Sequence, residues 1–377
     1  MSYPSIRHNP DNRHFFLSLA GVLIGFGVLM VHSASITSWP TEFERVYLTK
    51  HLQFLTVAVL AATAAGCLPA RIWFKAAPWL FVANLILLGL VLVPGIGTEV
   101  NGARRWLRFA GLSMQPSELA KITLPLFLAR TAFLARERIR HVFFGTVPFV
   151  VPAALTLALV VLEPDLGTAV FLAGSAALTL FFAGWPIHNF VLGAGAAVSG
   201  VVFLIVSQPY RLRRVTDFVS VWTDFANSDA WQLRQSLITL GSGSFWGVGL
   251  GRGQQKLSFL PESNTDFVFA VVGEELGLAG TVGLCLLWCG IFWTGVRLFR
   301  SLPGNCFASV VSLTLLTQIV GQALLNAAVV TALVPTTGIP HPLVSYGGSS
   351  LVVTVVSFGI IVSLSRADRQ TDRVVLK

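Results

Sequence analysis

Ten stretches of this chain stay apolar long enough to cross a membrane, at roughly 15–34, 48–68, 73–95, 117–135, 144–162, 166–185, 188–207, 266–298, 306–332 and 345–365. A spanning helix needs about 20 predominantly apolar residues, so each run reads as one helix. Proline and glycine punctuate the short connections, as at Gly95-Ile96-Gly97 and Pro303-Gly304. The interval 208–265 is too polar to span and too long for a turn. The pattern predicts an all-α polytopic membrane protein of about ten transmembrane helices, with one large loop between helices 7 and 8. Residues 1–377 read as a single domain, with polar tails at 1–14 and 366–377. The first apolar run is long enough to be retained as a span rather than removed as a signal.

Composition agrees with the pattern. Of 377 residues, 54% are hydrophobic and only 11% are charged, where soluble domains carry about 25% charge. Cys67, Cys285, Cys289 and Cys306 all fall in or beside apolar runs with no histidine cluster nearby, which reads as packing rather than zinc or redox chemistry. With the N-terminus cytoplasmic, ten spans return the C-terminus to the same side. That orientation puts 14 of the 26 lysines and arginines inside, but only Asp11, Glu137, Asp368 and Asp372 among the 17 acids. The other side gathers both signs of charge, as a site would.

The sharpest single feature is the stretch Ser258–Gly277, where a polar run turns apolar at Asp266. Ionisable groups inside a membrane segment are costly and mark function by default. On a continuous helix, Gly273 and Gly277 return near the face of Asp266, while Glu274 lies about 80° off that face and about 12 Å deeper. This predicts an acid at the lip and another at the floor of a polar cavity, with glycines admitting a close neighbour.

Further constellations surround it. Arg104 and Arg105 beside Trp106 suit a phosphate or diphosphate clamp, and equally a headgroup anchor. Ser117 is placed to cap a helix carrying Glu118 and Lys121, three apart and so on one face, as a structural or a functional ion pair. Glu163 and Asp165 flank Pro164 in a hairpin that suits a cation, a sugar or a helix cap. The large loop contributes Arg211, Arg213 and Arg214, then Gln232, Gln235 and Ser236 at helical spacing, then a glycine series from Gly241 to Gly253. It has no phosphate-loop register, and neither a nucleotide nor a nucleic acid is expected as partner. Residues 334–351 pack three prolines, three glycines and six hydroxyls, Ser345 and Tyr346 among them, into one membrane mouth. Irregular backbone at that depth is tolerated where it lines a wet cavity. Upstream, Gln322 and Asn326 share a helix face.

The ordered segments NGARRW, QPSELAK, EPDLGT, QSLITLGSG, FLPESNTDFVFAVVGEELG and PTTGIPHPLVSYGGSS, spread over residues 101–350, resemble the SEDS family of bacterial cell-wall polymerases that includes RodA and FtsW. The wording GVGLGRGQQKLSFLPE and VVGEELG is closer to the division member. His341 stands where an apolar residue is expected, and Asn264 where relatives often carry histidine. The resemblance implies a multi-pass protein of the bacterial cytoplasmic membrane, both termini inside. It implies a glycosyltransferase that polymerises lipid II at the outer face and releases undecaprenyl diphosphate, with lipid II transport as the alternative. Asp266 maps to the family's essential acid, as base on the acceptor 4-hydroxyl or as ligand of a divalent cation such as Mg2+ or Mn2+; no other cofactor is expected. Arg104 and Arg105 would neutralise the diphosphate. Glu118, Lys121, Glu163, Asp165, Arg213, Gln235, Ser236, Glu274, Ser345 and Tyr346 complete the expected substrate-binding set. Without an acyl-enzyme motif, cross-linking falls to a partner, which the resemblance makes a class B penicillin-binding protein within the divisome or elongasome.

Overall fold

The computed structural model describes residues 10–35, 42–100, 102–109, 112–137, 145–226, 228–254, 260, 262–300, 302 and 306–366. Most of the N-terminal tail, the C-terminal tail beyond 366, the Pro303-Gly304 loop, Asn101, Lys256 and Ser258 lie outside the described residues.

Twelve helices are present among the described residues: α1 (Pro10–Ser35), α2 (Glu42–Cys67), α3 (Ala70–Leu92), α4 (Pro116–Leu134), α5 (Val147–Leu162), α6 (Leu166–Phe182), α7 (Ile187–Val206), α8 (Pro209–Thr223), α9 (Trp231–Ser242), α10 (Val268–Phe299), α11 (Phe307–Val330) and α12 (Gly348–Leu364). Ten correspond to the ten apolar runs; α8 and α9 fold within the large loop. Six of them (α1, α2, α3, α7, α10 and α11) are long and apolar enough to cross a membrane by themselves. The chain is an all-α integral membrane protein in its body, as expected.

The bundle is organised around α11, which packs against α4, α6, α10 and α12. A second seam joins α2 to α12, where the helices nearly touch: a Cβ on Gly359 would strike the Ala62 carbonyl. By contrast α7 stands at the periphery, with Val191, Leu192 and Phe203 about 70% exposed.

Two features depart from the sequence reading. First, the segment before α4 forms a small antiparallel sheet, β1 (Gly97–Val100), β2 (Ala103–Phe109) and β3 (Leu112–Met114), in the order β1-β2-β3. Val100 pairs with Ala103 across a tight turn in which Gly102 takes φ 75°, the left-handed conformation such hairpins require. Pro116 then opens α4, so Ser117, expected as the cap, is already inside the first turn and buried.

Second, α10 is not continuous. Gly277 has φ 68° and ψ −163°, breaking the helix within its apolar run. An α-helix bonds each N–H to the carbonyl four residues back, so the break removes the bonds from Leu278 to Glu274 and from Ala279 to Glu275. The glycine-rich loop after α9 replaces them. Val248 and Gly249 N–H groups donate to the Glu274 and Glu275 carbonyls at 3.0 Å each, while Leu278 and Ala279 donate to Ser244 and Phe245 at 3.0 and 3.1 Å. A side chain on Gly247 or Gly277 would drive into the other strand of this pairing.

Candidate active site

The polar-to-apolar switch at Asp266 is a turn. Thr265 and Phe267 both donate to the Glu262 carbonyl, at 3.1 and 3.2 Å, and α10 starts at Val268. Three successive carbonyls of this turn are then tied to the wall behind it. Asn264 accepts from the Tyr346 N–H at 2.8 Å, Thr265 from the Ser345 hydroxyl at 2.5 Å, and Asp266 from the Asn326 amide at 2.7 Å. Asn326 also donates to Ile339 at 3.0 Å. The Asp266 backbone is therefore immobilised by α11 and by segment 334–346, and its carboxylate lies beside Gly338, whose φ of 75° is what calls for glycine there.

Charge converges on that carboxylate. Burial and the nearby Glu262 push Asp266 up from its ordinary 3.8 to about 6, Arg214 opposes the rise, and Asp165 adds to it. Arg214 is held by the Thr336 carbonyl at 3.2 Å and by the Tyr210 hydroxyl at 2.5 Å, with its guanidinium stacked 4.8 Å from the Tyr210 ring. Arg213, the residue singled out from the sequence, instead turns to solvent, 70% exposed and 4.0 Å from Asp217.

The 163–165 hairpin forms the opposite wall. Asp165 caps α6 through Thr168 N–H at 3.1 Å, accepts from Gln115 at 3.2 Å and faces Arg105 at 3.7 Å. Arg105 also donates to the carbonyls of Glu163 at 3.0 Å and Pro164 at 2.6 Å. Arg104 does not join it. Successive residues of a strand face opposite ways, and Arg104 pairs with Glu99 on β1 at 3.2 Å, so the adjacent arginines do not make one clamp. Glu163 is fully buried, and among the described residues neither carboxyl oxygen has a hydrogen-bond partner. Burial first and Asp165 second push it to about 8 against the pull of Arg105, which keeps it protonated at neutral pH.

Other expected residues lie elsewhere. Glu118 and Lys121 pair at 2.7 Å, 5% and 3% exposed, and Lys121 also meets Gln322 at 3.1 Å and the Phe171 ring at 5.2 Å. Glu274 turns away from the floor position predicted for it and accepts from the Gln254 N–H at 2.8 Å, because the break at Gly277 lets the loop reach it. Ser236 braces α9 against α11 through the Val330 carbonyl at 2.7 Å, with Gln235 one turn below Thr239, whose hydroxyl it accepts. Ser345 and Tyr346 do reach the Asp266 turn; the Tyr346 ring stacks edge-on with Tyr47 at 5.0 Å. Arg214 was named with Arg211 and Arg213 but left out of the expected substrate-binding set, and Gln115 and the carbonyl clamp were not singled out from sequence, although the shared face of Gln322 and Asn326 signalled the last. Among the described residues no group of three His, Cys, Asp or Glu side chains could hold a metal ion. Asp266 offers a cation one carboxylate, which suits magnesium shared with a substrate's phosphates rather than a protein cage.

The family model described as cell cycle protein, covering FtsW, RodA and SpoVE, matches residues 13–370. The chain belongs to this family. Over 353 residues it is 37% identical to a probable peptidoglycan glycosyltransferase FtsW of Trichlorobacter lovleyi, covering 93% of this chain and 92% of that one. Stage V sporulation protein E of Bacillus subtilis is 35% identical over 350 residues, 92% and 95% of the two chains. Among solved structures, a chain of a peptidoglycan synthase complex described for coordinating polymerisation and crosslinking superimposes with TM-score 0.76 at 27% identity, over 94% of this chain and 98% of that one. The FtsW-RodA-SpoVE family thus accounts for both the fold and the order of the motifs.

Proposed function

We propose that this chain is a peptidoglycan glycosyltransferase that polymerises lipid II at the outer face of the bacterial cytoplasmic membrane, both termini lying inside. The observation that carries the reading is the Asp266 turn. Three consecutive carbonyls are anchored while the carboxylate is left beside a cationic arginine at a polar mouth. The names of the relatives supply the substrate class.

In this reading the 4-hydroxyl of the acceptor sugar attacks the anomeric carbon of the donor. Asp266 takes the hydroxyl proton as general base, the new glycosidic bond forms, and the bond to the diphosphate breaks with its electron pair leaving on undecaprenyl diphosphate. A carboxylate that titrates near 6 is largely ionised at neutral pH while remaining a competent base. Among the described residues, Arg214 and Arg105 are the cations placed to meet the departing diphosphate, with Arg104 turned to Glu99. In the alternative, Asp266 would hold a magnesium or manganese ion instead of taking the proton, and that ion would supply charge neutralisation at the diphosphate. The Glu118–Lys121 pair acts as a strut rather than a ligand. Gln235, Ser236 and Glu274 hold the loop; Arg213 sits at its outer edge.

The family likeness to a synthase complex, together with the absence of an acyl-enzyme motif in this chain, supports a class B penicillin-binding protein as partner within the divisome or elongasome. The test is polymerisation by purified protein given lipid II, with and without a cognate transpeptidase. Wild type is expected to make glycan strands and Asp266→Ala none. Full activity in Asp266→Ala would remove Asp266 from the chemistry. Wild type that moves lipid II across liposomes without joining it would replace the polymerase by a transporter.

A further inference from the structure

His341 is the residue at which this chain departs from the expected apolar position, and the structure surrounds it with polar partners. It is 2% exposed, with its ring stacked on Phe269 at 5.8 Å and edge-on to Trp288 at 5.9 Å. Its Nε2 lies 3.0 Å from the Trp288 indole nitrogen and its Nδ1 lies 3.2 Å from Asn326 Oδ1. An indole N–H can only donate, so Nε2 must accept and carry no proton. In the neutral imidazole the proton then sits on Nδ1, which donates to Asn326 Oδ1. That in turn leaves the Asn326 amide nitrogen as the donor, aimed at the Asp266 and Ile339 carbonyls. Read from either end, the chain of bonds has one direction.

The same residue reaches the turn by a second route. The His341 backbone N–H donates to the Ser345 hydroxyl at 2.8 Å, and that hydroxyl donates to the Thr265 carbonyl.

We infer that His341 is a positioning residue for Asp266, transmitting the rigid placement of Trp288 in the α10 core through Asn326 to the Asp266 backbone. It never touches substrate. Its contribution rests on the reading of Asp266 as the base, because holding a base within a fraction of an ångström matters only where that base reacts.

Three variants separate positioning from packing. Asparagine presents an amide only where Nδ1 stands, keeping the bond to Asn326 and losing the indole. Glutamine reaches the Nε2 position, keeping the indole and losing Asn326. Leucine loses both. In the lipid II assay, His341→Leu and His341→Gln are expected to lower kcat on the order of tenfold to a hundredfold with KM unchanged, and His341→Asn to recover most of it. Hydrogen exchange in the purified, substrate-free protein gives a readout independent of turnover. Amides of Phe267, Val268 and Phe269 should exchange faster in the leucine and glutamine variants than in wild type or asparagine. Recovery by glutamine instead of asparagine, or unchanged exchange at these amides in His341→Leu, would overturn the inference. So would faster exchange throughout α10, α11 and α12, which marks a merely structural loss. If Asp266→Ala stays active while the exchange pattern holds, the reading of the base fails and the clamp stands.

Discussion

The mouth around Asp266 and the membrane-buried pair Glu118–Lys121 are built from the same residue types, yet they are finished differently. In the pair, the ammonium is fully engaged. Lys121 meets a carboxylate, an amide oxygen and an aromatic face, while Gln318 braces the same turn by donating to the Lys121 carbonyl at 3.0 Å and accepting from Ser175 at 2.5 Å. At the mouth the effort goes into backbone. Asn264, Thr265 and Asp266 are held by their carbonyls, the Glu163 carboxyl has no hydrogen-bond partner among the described residues, and like charges face each other across the opening. The pair's opposite charges cancel each other, even though Glu118 Oε2 has no hydrogen-bond partner among the described residues; like charges left in tension with one another are available for chemistry.

Breaking each region singly should expose the contrast. The largest effect is expected at the pair: Lys121→Met leaves Glu118 buried and uncompensated, a loss of about 3–5 kcal/mol. Combining it with Glu118→Gln should restore most of that stability, as read from thermal unfolding in detergent. If the double variant is no better than the single one, the pair is not a self-contained strut. At the mouth, Arg214→Gln should cost far less stability than Lys121→Met and move the acid limb of the pH–rate profile upward, because Arg214 is the group that lowers Asp266 from within its setting. An acid limb that stays near 6 would show that Arg214 does not face the reacting carboxylate. The smallest effect on activity is at Glu163. Between its ordinary value of 4.5 and about 8 the folded protein holds a proton that the unfolded chain has released, so its contribution to stability falls as pH rises through that window and is level above it. Glu163→Gln, neutral throughout, should flatten that slope in unfolding measured from pH 5 to 8, with activity near wild type. A slope unchanged by the substitution would place the titrating group elsewhere.

How much of this was legible beforehand depended on whether a residue's direction follows from sequence spacing. Asp266 stood out because a carboxylate at a hydropathy step is visible in one dimension, and the Glu118–Lys121 pair because a spacing of three dictates a shared helix face. Arg213 and Arg214 are neighbours on α8, about 100° apart around it, and only the packing of that helix over segment 334–341 decides which one points inward. Arg104 and Arg105 read as a joint clamp until the strand is known; the alternation of β2 then separates them. The Asn-Gly at 101–102 was the available sign of that hairpin, masked by the basic and aromatic residues around it. Gly277 read as a packing glycine on an unbroken helix, because nothing in the sequence distinguishes a glycine that admits a neighbour from one that bends the chain.

That broken helix bears on how the protein is made. The segment forming α10 reaches the membrane as a long apolar stretch, and four of its backbone groups find their partners only in a loop synthesised before it. In an unbroken helix these four groups would bond to one another; opened at Gly277 without Ser244 to Gly249 docked, they would stand unpaired in an apolar surrounding, a state costing several kcal/mol per group. The break in α10 and the closure of the loop are thus one structural event, and the half-helix that begins beside Asp266 takes its final bonding from the segment that precedes it.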